Sequence, residues 1–338
     1  MSEAVNNEKK ATSLSEFLYK IKFDKWKGWL YLLPCIVLLL IFTVWPIFNT
    51  VRMAFLENYS SADEIGGEIF NVGLKNFEKV LKFKGFKTCL KNTMLLCILT
   101  VPLSTILALL IAVCLNAIRP LQRFLQTIFF LPYVTNSIAI GMVFAAMFSM
   151  SGSHFGTQDE FIQTAGIMNS ILGVFGAKPV NWMNEGSTYA ANITVMVVYI
   201  VWNALPFKIL ILLGGLQSVN KQYYEAAKID GTPRWRVFTR ITVPLLSPML
   251  AYVVITGFIG GFKEYSSIVG VFGEKMGPVG AAENLTAGGS LNTMVGFIYD
   301  SLAGDNQGRA SAAALILFGI IFVVTMINLY VSKKKTHY

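Results

Sequence analysis

Six long windows free of Asp, Glu, Lys and Arg punctuate the chain, with Lys208 as the sole charge inside any of them. They are Trp29–Val51, Asn92–Ile118, Phe124–Met150, Gly186–Leu216, Ile241–Phe262 and Ala310–Ser332, of 23, 27, 27, 31, 22 and 23 residues. An α-helix rises about 1.5 Å per residue, so roughly 20 apolar residues cross the ~30 Å hydrocarbon core of a bilayer. Buried helices of soluble domains are shorter. The pattern predicts an all-α polytopic membrane protein with six transmembrane helices. The ~10-residue alternating segments of an outer-membrane barrel are not evident. Pro34, Pro46, Pro102, Pro132 and Pro206 fall inside the windows, where neighbouring helices can satisfy the freed carbonyls. The first window follows 28 mostly polar residues and exceeds the ~7–15-residue apolar core of a signal peptide, so it reads as an uncleaved first helix.

Charge placement orients the spans. Residues 1–28, 119–123, 217–240 and 333–338 hold 16 Lys and Arg in 63 positions, against 11 in the 122 positions of 52–91, 151–185 and 263–309. Basic residues concentrate on the cytoplasmic side, so both termini are expected there. The dissenting feature is Lys75, Lys79, Lys82, Lys84 and Lys87 in the first outer loop, partly balanced by acidic neighbours such as Glu57 and Glu78. Trp26, Trp29 and Tyr31 at one end, and Tyr330 with Lys333–Lys335 at the other, suit membrane interfaces. The domains are then a tail (1–28), a six-helix domain (29–332) and a second tail (333–338), with one basic loop at 217–240.

Composition agrees: 54% hydrophobic and 14% charged, against about 25% charged in soluble domains, with a mean hydropathy of +0.56. The net charge of +9 lies where the membrane rule puts it, so it asks for no nucleic acid. Cys35, Cys89, Cys97 and Cys114 form no metal or redox spacing. His154 and His337 have no nucleophile and acid around them. Gly85-Phe86-Lys87-Thr88 lacks the second glycine of a phosphate loop. No catalytic or metal residue is expected, and ATP, if used, must be bound by a partner.

The stretch QSVNKQYYEAAKIDGTPRWRVFTRITVPLLSP (217–248) carries the chemistry. Val219 to Ile229 reads as a short helix with good formers at Glu225, Ala226 and Ala227. Gly231 can end it with positive φ, and Pro233 suits the first turn of a second helix presenting Arg234, Arg236 and Arg240. Such a helix–turn–helix is shaped to sit in another protein's groove.

At these residues the chain resembles the permease subunits of binding-protein-dependent ATP-binding-cassette importers. Glu225-Ala226-Ala227, Gly231, Ile241 and Pro244 reproduce their EAA signature; Asp230, Phe238 and Pro248 fit its carbohydrate-uptake branch. WNALPFKILILLGGLQSV (202–219), LTAGGSLNTMVGFIYD (285–300) and GRASAAALILFGII (308–321) are similar to the flanking helix, outer loop and last span of that branch. The likeness covers roughly residues 29–332 and implies the type I importer permease fold. It implies an ATPase-coupling surface at Glu225, Ala226, Ala227, Asp230, Gly231, Arg234 and Arg236, with a plainer positive-inside reading open for the two arginines. It implies a multi-pass subunit of a bacterial-type cell membrane, in contact with lipid, working with a second homologous permease, two ATPase subunits holding ATP and Mg, and an extracellular or lipid-anchored solute-binding protein. The basic C-terminus, without a glycine-rich tail, resembles the first-type subunit of maltose-type transporters, hence a heterodimer.

Polar and aromatic residues in the fourth span, Trp202 and Asn203, are candidates for the pathway. Alignment from the signature adds Ala204, Phe207, Gly257, Gly261 and Glu264 to Asn203, with glycines where maltose-type relatives have polar side chains. Lys208 stays open between pathway and bundle. Lys263 lies 19 residues beyond Pro244, about 28 Å along a helix, which suits the outer interface; Glu264 stays open. Nearly charge-free spans suit a neutral sugar. The alternatives are an importer of glycerophosphodiesters or polyamines, or a secondary transporter, which would need coupling carboxylates and inverted repeats.

Overall fold

The computed structural model describes residues 23–65, 70–118, 122–154, 161–164, 166–278 and 290–335. The greater part of the expected N-terminal tail and the end of the C-terminal one lie outside them. The chain divides into two compact units, residues 1–53 and 54–338.

The described part of the first unit is an apolar helix: α1 (Phe23–Leu39), a π-helical turn (Leu40–Val44) and α2 (Trp45–Phe55), whose last two residues belong to the second unit. Leu30, Leu33, Leu40, Phe42 and Ile47 are all exposed. A helix apolar all round needs lipid or protein on every side.

The second unit opens with α3 (Ser61–Ile65) and α4 (Lys75–Lys82). It continues through α5 (Lys84–Ala117), α6 (Gln122–Val134) and α7 (Ser137–Phe148) to an antiparallel ribbon, β1 (Ser151–His154) with β2 (Phe161–Thr164), which is the exception to an all-helical chain among the described residues. Then come α8 (Ile167–Val174), α9 (Tyr189–Ser218), α10 (Lys221–Ile229), α11 (Arg234–Val237), a π-helical turn (Phe238–Thr242) and α12 (Val243–Leu245). The unit closes with α13 (Ser247–Phe262), α14 (Ser266–Phe272), α15 (Met294–Ala303) and α16 (Gln307–Lys335).

Among the described residues, four helices are long and apolar enough to cross a membrane: Gly28–Phe55, Lys84–Ala117, Tyr189–Ser218 and Gln307–Lys334. The third and fifth windows are not straight helices. The third breaks between Phe124–Val134 and Ser137–Phe148, which meet at 97°, and the fifth between Arg234–Leu245 and Ser247–Phe262, at 67°. Six spans result if each bent pair counts as one. Asn136 makes the first break by capping α7, its side chain accepting from Ile138 N at 2.8 Å. Across the break Tyr199 of α9 donates to the Ser137 carbonyl at 2.5 Å. In the second, Pro248 at the start of α13 cannot continue the ladder from the preceding turn.

α5 begins eight residues before its apolar window, and the five lysines that dissented from the charge rule occupy α4 and the first turn of α5. Lys75 pairs with Glu57 at 2.5 Å, Lys79 bonds Asn58, and Lys82 pairs with Glu78. Lys82 beside Glu78 holds that carboxyl below the usual carboxylate range.

α5 and α9 are the central pair of the bundle. Thr100, Ser104, Ala108 and Ala112 recur every four residues on the buried side of α5, small enough for close helix approach. At one end of the pair Asn92 donates to the carbonyls of Ser290 and Asn292, each at 2.9 Å, and accepts from Tyr189 Oη at 2.7 Å. Thr93 Oγ1 accepts from Met294 N at 3.0 Å. The start of α15 is thereby fastened to α5.

Candidate functional site

Three helix faces and one aromatic ring line an open cavity of about 290 Å³. α9 contributes Ile200, Asn203, Ala204, Phe207 and Lys208, at the spacing of one helical face. α13 contributes Thr256, Gly257, Gly260 and Gly261 on one face, with Glu264 a turn further on. α5 supplies Thr100, Val101 and Ser104, and α6 supplies Tyr133. Tyr133 stacks on Phe207, their centroids 5.9 Å apart and planes 19° from parallel.

Gly257 and Gly261 of α13 have a packing cause. A Cβ at Gly257 would lie 3.1 Å from Val101 Cγ1 and 3.2 Å from Lys208 Nζ. At Gly261 it would lie 2.9 Å from Cys97 Sγ. Glycine lets α13 approach α5 and leaves open the space that larger residues would fill.

Lys208 is buried. Its Nζ donates to Ser104 Oγ at 2.7 Å, Thr105 Oγ1 at 3.0 Å and the Val101 carbonyl at 3.2 Å. Glu264, half-buried, bonds the side chain and backbone of Ser267, while its own carbonyl accepts from Thr293 Oγ1 at 2.9 Å. Lys263 is exposed.

Of the pathway residues expected from sequence, Asn203, Ala204, Phe207, Gly257, Gly261 and Glu264 come together on this cavity. Trp202 does not line it; its ring packs on Phe144 at 5.2 Å. Sequence reasoning missed Tyr133, Thr100, Ser104 and Thr256. The hydroxyl spacing Thr100 to Ser104, i to i+4 within an apolar span, was the available signal.

The second candidate surface is the loop between α9 and α13. Asn220 caps α10, its side chain accepting from Gln222 N at 3.0 Å, so the helix starts at Lys221 rather than Val219. It ends at Ile229 in a Schellman turn: Thr232 N donates to Ala227 O at 2.9 Å, and Gly231 N to Lys228 O at 3.2 Å. Gly231 has φ +63°. Pro233 stands one residue outside α11 as its N-cap, not in its first turn. Ala227 is buried beneath the helix, while Glu225, Ala226, Asp230, Gly231, Arg234 and Arg236 face solvent. Ile229 is 87% exposed and Trp235 72%. No ion pair engages Glu225, Asp230, Arg234 or Arg236 among the described residues. Beside α10, Asn116, Gln217, Lys221, Tyr224, Glu225 and Lys228, with Leu216 and Val219, border a groove of about 660 Å³. No group of three His, Cys, Asp or Glu side chains gathers to hold a metal among the described residues.

A bundle of membrane-length helices around a small cavity, with an unpaired charged helix–turn–helix on one connecting loop, defines a membrane transport subunit. The chain belongs to the family of binding-protein-dependent transport system inner membrane components, which it matches over residues 100–337. It is 30% identical over 306 residues to the arabinooligosaccharides transport system permease protein AraP of Bacillus subtilis (strain 168), covering 90% of this chain and 88% of that one. To the trehalose/maltose transport system permease protein MalF of Thermococcus litoralis it is 30% identical over 315 residues, covering 93% and 96%. A solved bacterial alginate ABC transporter, in complex with an alginate pentasaccharide-bound periplasmic protein, has a chain of the same fold: TM-score 0.71, 22% identity, 95% of this chain and 99% of that one.

Proposed function

We propose that this chain forms half of the translocation pathway for a sugar or oligosaccharide, delivered by a solute-binding protein and driven by ATPase subunits docked on loop 217–240. The carrying observation is the cavity, which gathers six residues predicted for the pathway onto facing walls of α9 and α13. Its mixture of apolar wall, stacked aromatic rings, hydroxyls and the Asn203 amide suits a polyhydroxylated solute, which offers ring faces and hydrogen-bonding edges together. The names of the relatives support the sugar class, and the periplasmic protein in the alginate complex supports the delivery step.

Both termini are cytoplasmic in this reading, with loop 217–240 on the same side. Glu225, Ala226, Asp230, Gly231, Arg234 and Arg236 form the surface offered to the ATPase, and buried Ala227 seats that surface on the bundle. Closure of two ATPase subunits around ATP and Mg would move α10 and α11 as a rigid turn. The bundle is then a two-state element whose equilibrium the partners bias. The partner across the pathway is a second, different permease.

The test is gentle-detergent purification of the chain from native membranes, with its stoichiometric partners identified by mass spectrometry. Recovery of an ATPase and a different permease is expected, and an attached binding protein can then be screened with sugars. A lone or self-paired chain without an ATPase would sink the reading and favour a secondary transporter.

A further inference from the structure

Lys208 is the one charge within the six apolar windows, and the oxygens around its nitrogen are arranged to accept from an ammonium. The Thr105 hydroxyl spends its proton on the Val101 carbonyl at 2.7 Å. The Ser104 hydroxyl spends its own on the Thr100 carbonyl. Toward Lys208 both hydroxyls are therefore acceptors, as is the Val101 carbonyl. Three acceptors around one nitrogen require three N–H donors, which only the ammonium has. A neutral amine would aim its lone pair at one of these oxygens.

This charge is solvated by neutral oxygens but not cancelled. Among the described residues no carboxylate lies within ion-pair distance of it. Glu264, the carboxyl group of the cavity wall, follows Gly257 by seven residues and is bonded to Ser267. Gly257 and Lys208 share one patch of the wall, where any side chain at 257 would crowd Nζ. An unneutralised ammonium in a low-dielectric wall raises the potential of the space before it, the means by which basic residues select ions in pores.

We propose that Lys208 is the charge selector of this cavity, turning away cationic solutes and favouring neutral or anionic ones. The proposal rests on the reading of the cavity as the solute path, and it opposes the polyamine alternative. Lys208→Met is sterically mild, because Ser104 and Thr105 keep their carbonyl partners and nothing is orphaned.

The potential can be read without knowing the substrate. Ala204→Cys, on the cavity wall, is introduced into the full chain with Cys35, Cys89, Cys97 and Cys114 replaced by alanine. It is assembled with its partners in membrane vesicles. Its reaction rates are measured with anionic sulfonatoethyl, cationic trimethylammonioethyl and neutral methyl methanethiosulfonate. Thr256→Cys, on the α13 wall, gives an independent second reading. The anionic-to-cationic rate ratio is expected to fall about tenfold in Lys208→Met, normalised to the neutral reagent, and to be kept in Lys208→Arg. A residue that merely ties α9 to α5 would change all three rates together; an unchanged ratio in Lys208→Met overturns the proposal. Labelling needs no import, so failure of the sugar-importer reading shows separately, in the copurified partners.

Discussion

Asn92 is fully buried, and its side-chain oxygen and nitrogen are both engaged, by Tyr189 and by the carbonyls of Ser290 and Asn292. A buried polar group costs little when satisfied and much when its partners are orphaned. Asn92→Leu keeps the volume but strands two carbonyls and a phenol, so it should cost about 3 kcal/mol. In a thermal melt of the purified complex this corresponds to a drop of roughly 5 °C or more. An unchanged melting temperature would show that water replaces the amide without penalty. Sequence could flag Asn92 as a polar residue opening an apolar window; it could not supply partners 97 to 200 positions away. The same holds for Ser104 and Thr105, which bond Lys208 more than 100 residues later.

The turn at Gly231 was legible to the residue, because it is local: a short helix, a residue with positive φ and a proline follow one another within a dozen positions. An L-residue placed there bears about 1–2 kcal/mol of left-handed strain, with Asn the tolerated exception. On the proposed coupling role, Gly231→Ala should reduce ATP-driven uptake at least about tenfold while the chain still inserts and binds its partner permease. Gly231→Asn should retain more activity than Gly231→Ala; the reverse order would separate the motif from backbone geometry. The apolar spans were legible in hydropathy, which counts residues but is blind to direction. Phe124–Met150 therefore read as one span, although Asn136 carries a capping side chain in its middle. The first-loop lysines read as an anomaly until α4 placed Lys75, Lys79 and Lys82 beside oxygen acceptors.

For the whole molecule, the cavity requires α5, α6, α9 and α13 together, so no single segment of sequence displays it. Alignment to a family pattern located the α9 and α13 walls, and only the fold added Tyr133 from α6. The bend between α6 and α7 also bears on how the chain enters the bilayer. With 13 and 12 residues, these helices measure about 20 and 18 Å, short of the ~30 Å core. Backbone exposed at their junction must be satisfied by protein if it lies at membrane depth, and Tyr199 does this from 62 residues further along. During synthesis that phenol does not exist when the bend emerges. Insertion therefore cannot proceed strictly one helix at a time: α6 and α7 settle only when α9 arrives. With the four native cysteines replaced, nascent chains arrested before residue 189 should leave a cysteine at position 137, where Ser137 meets Tyr199, more open to a water-soluble thiol reagent than chains extended through α9. Equal protection at both lengths would mean that the bend finds its partners elsewhere.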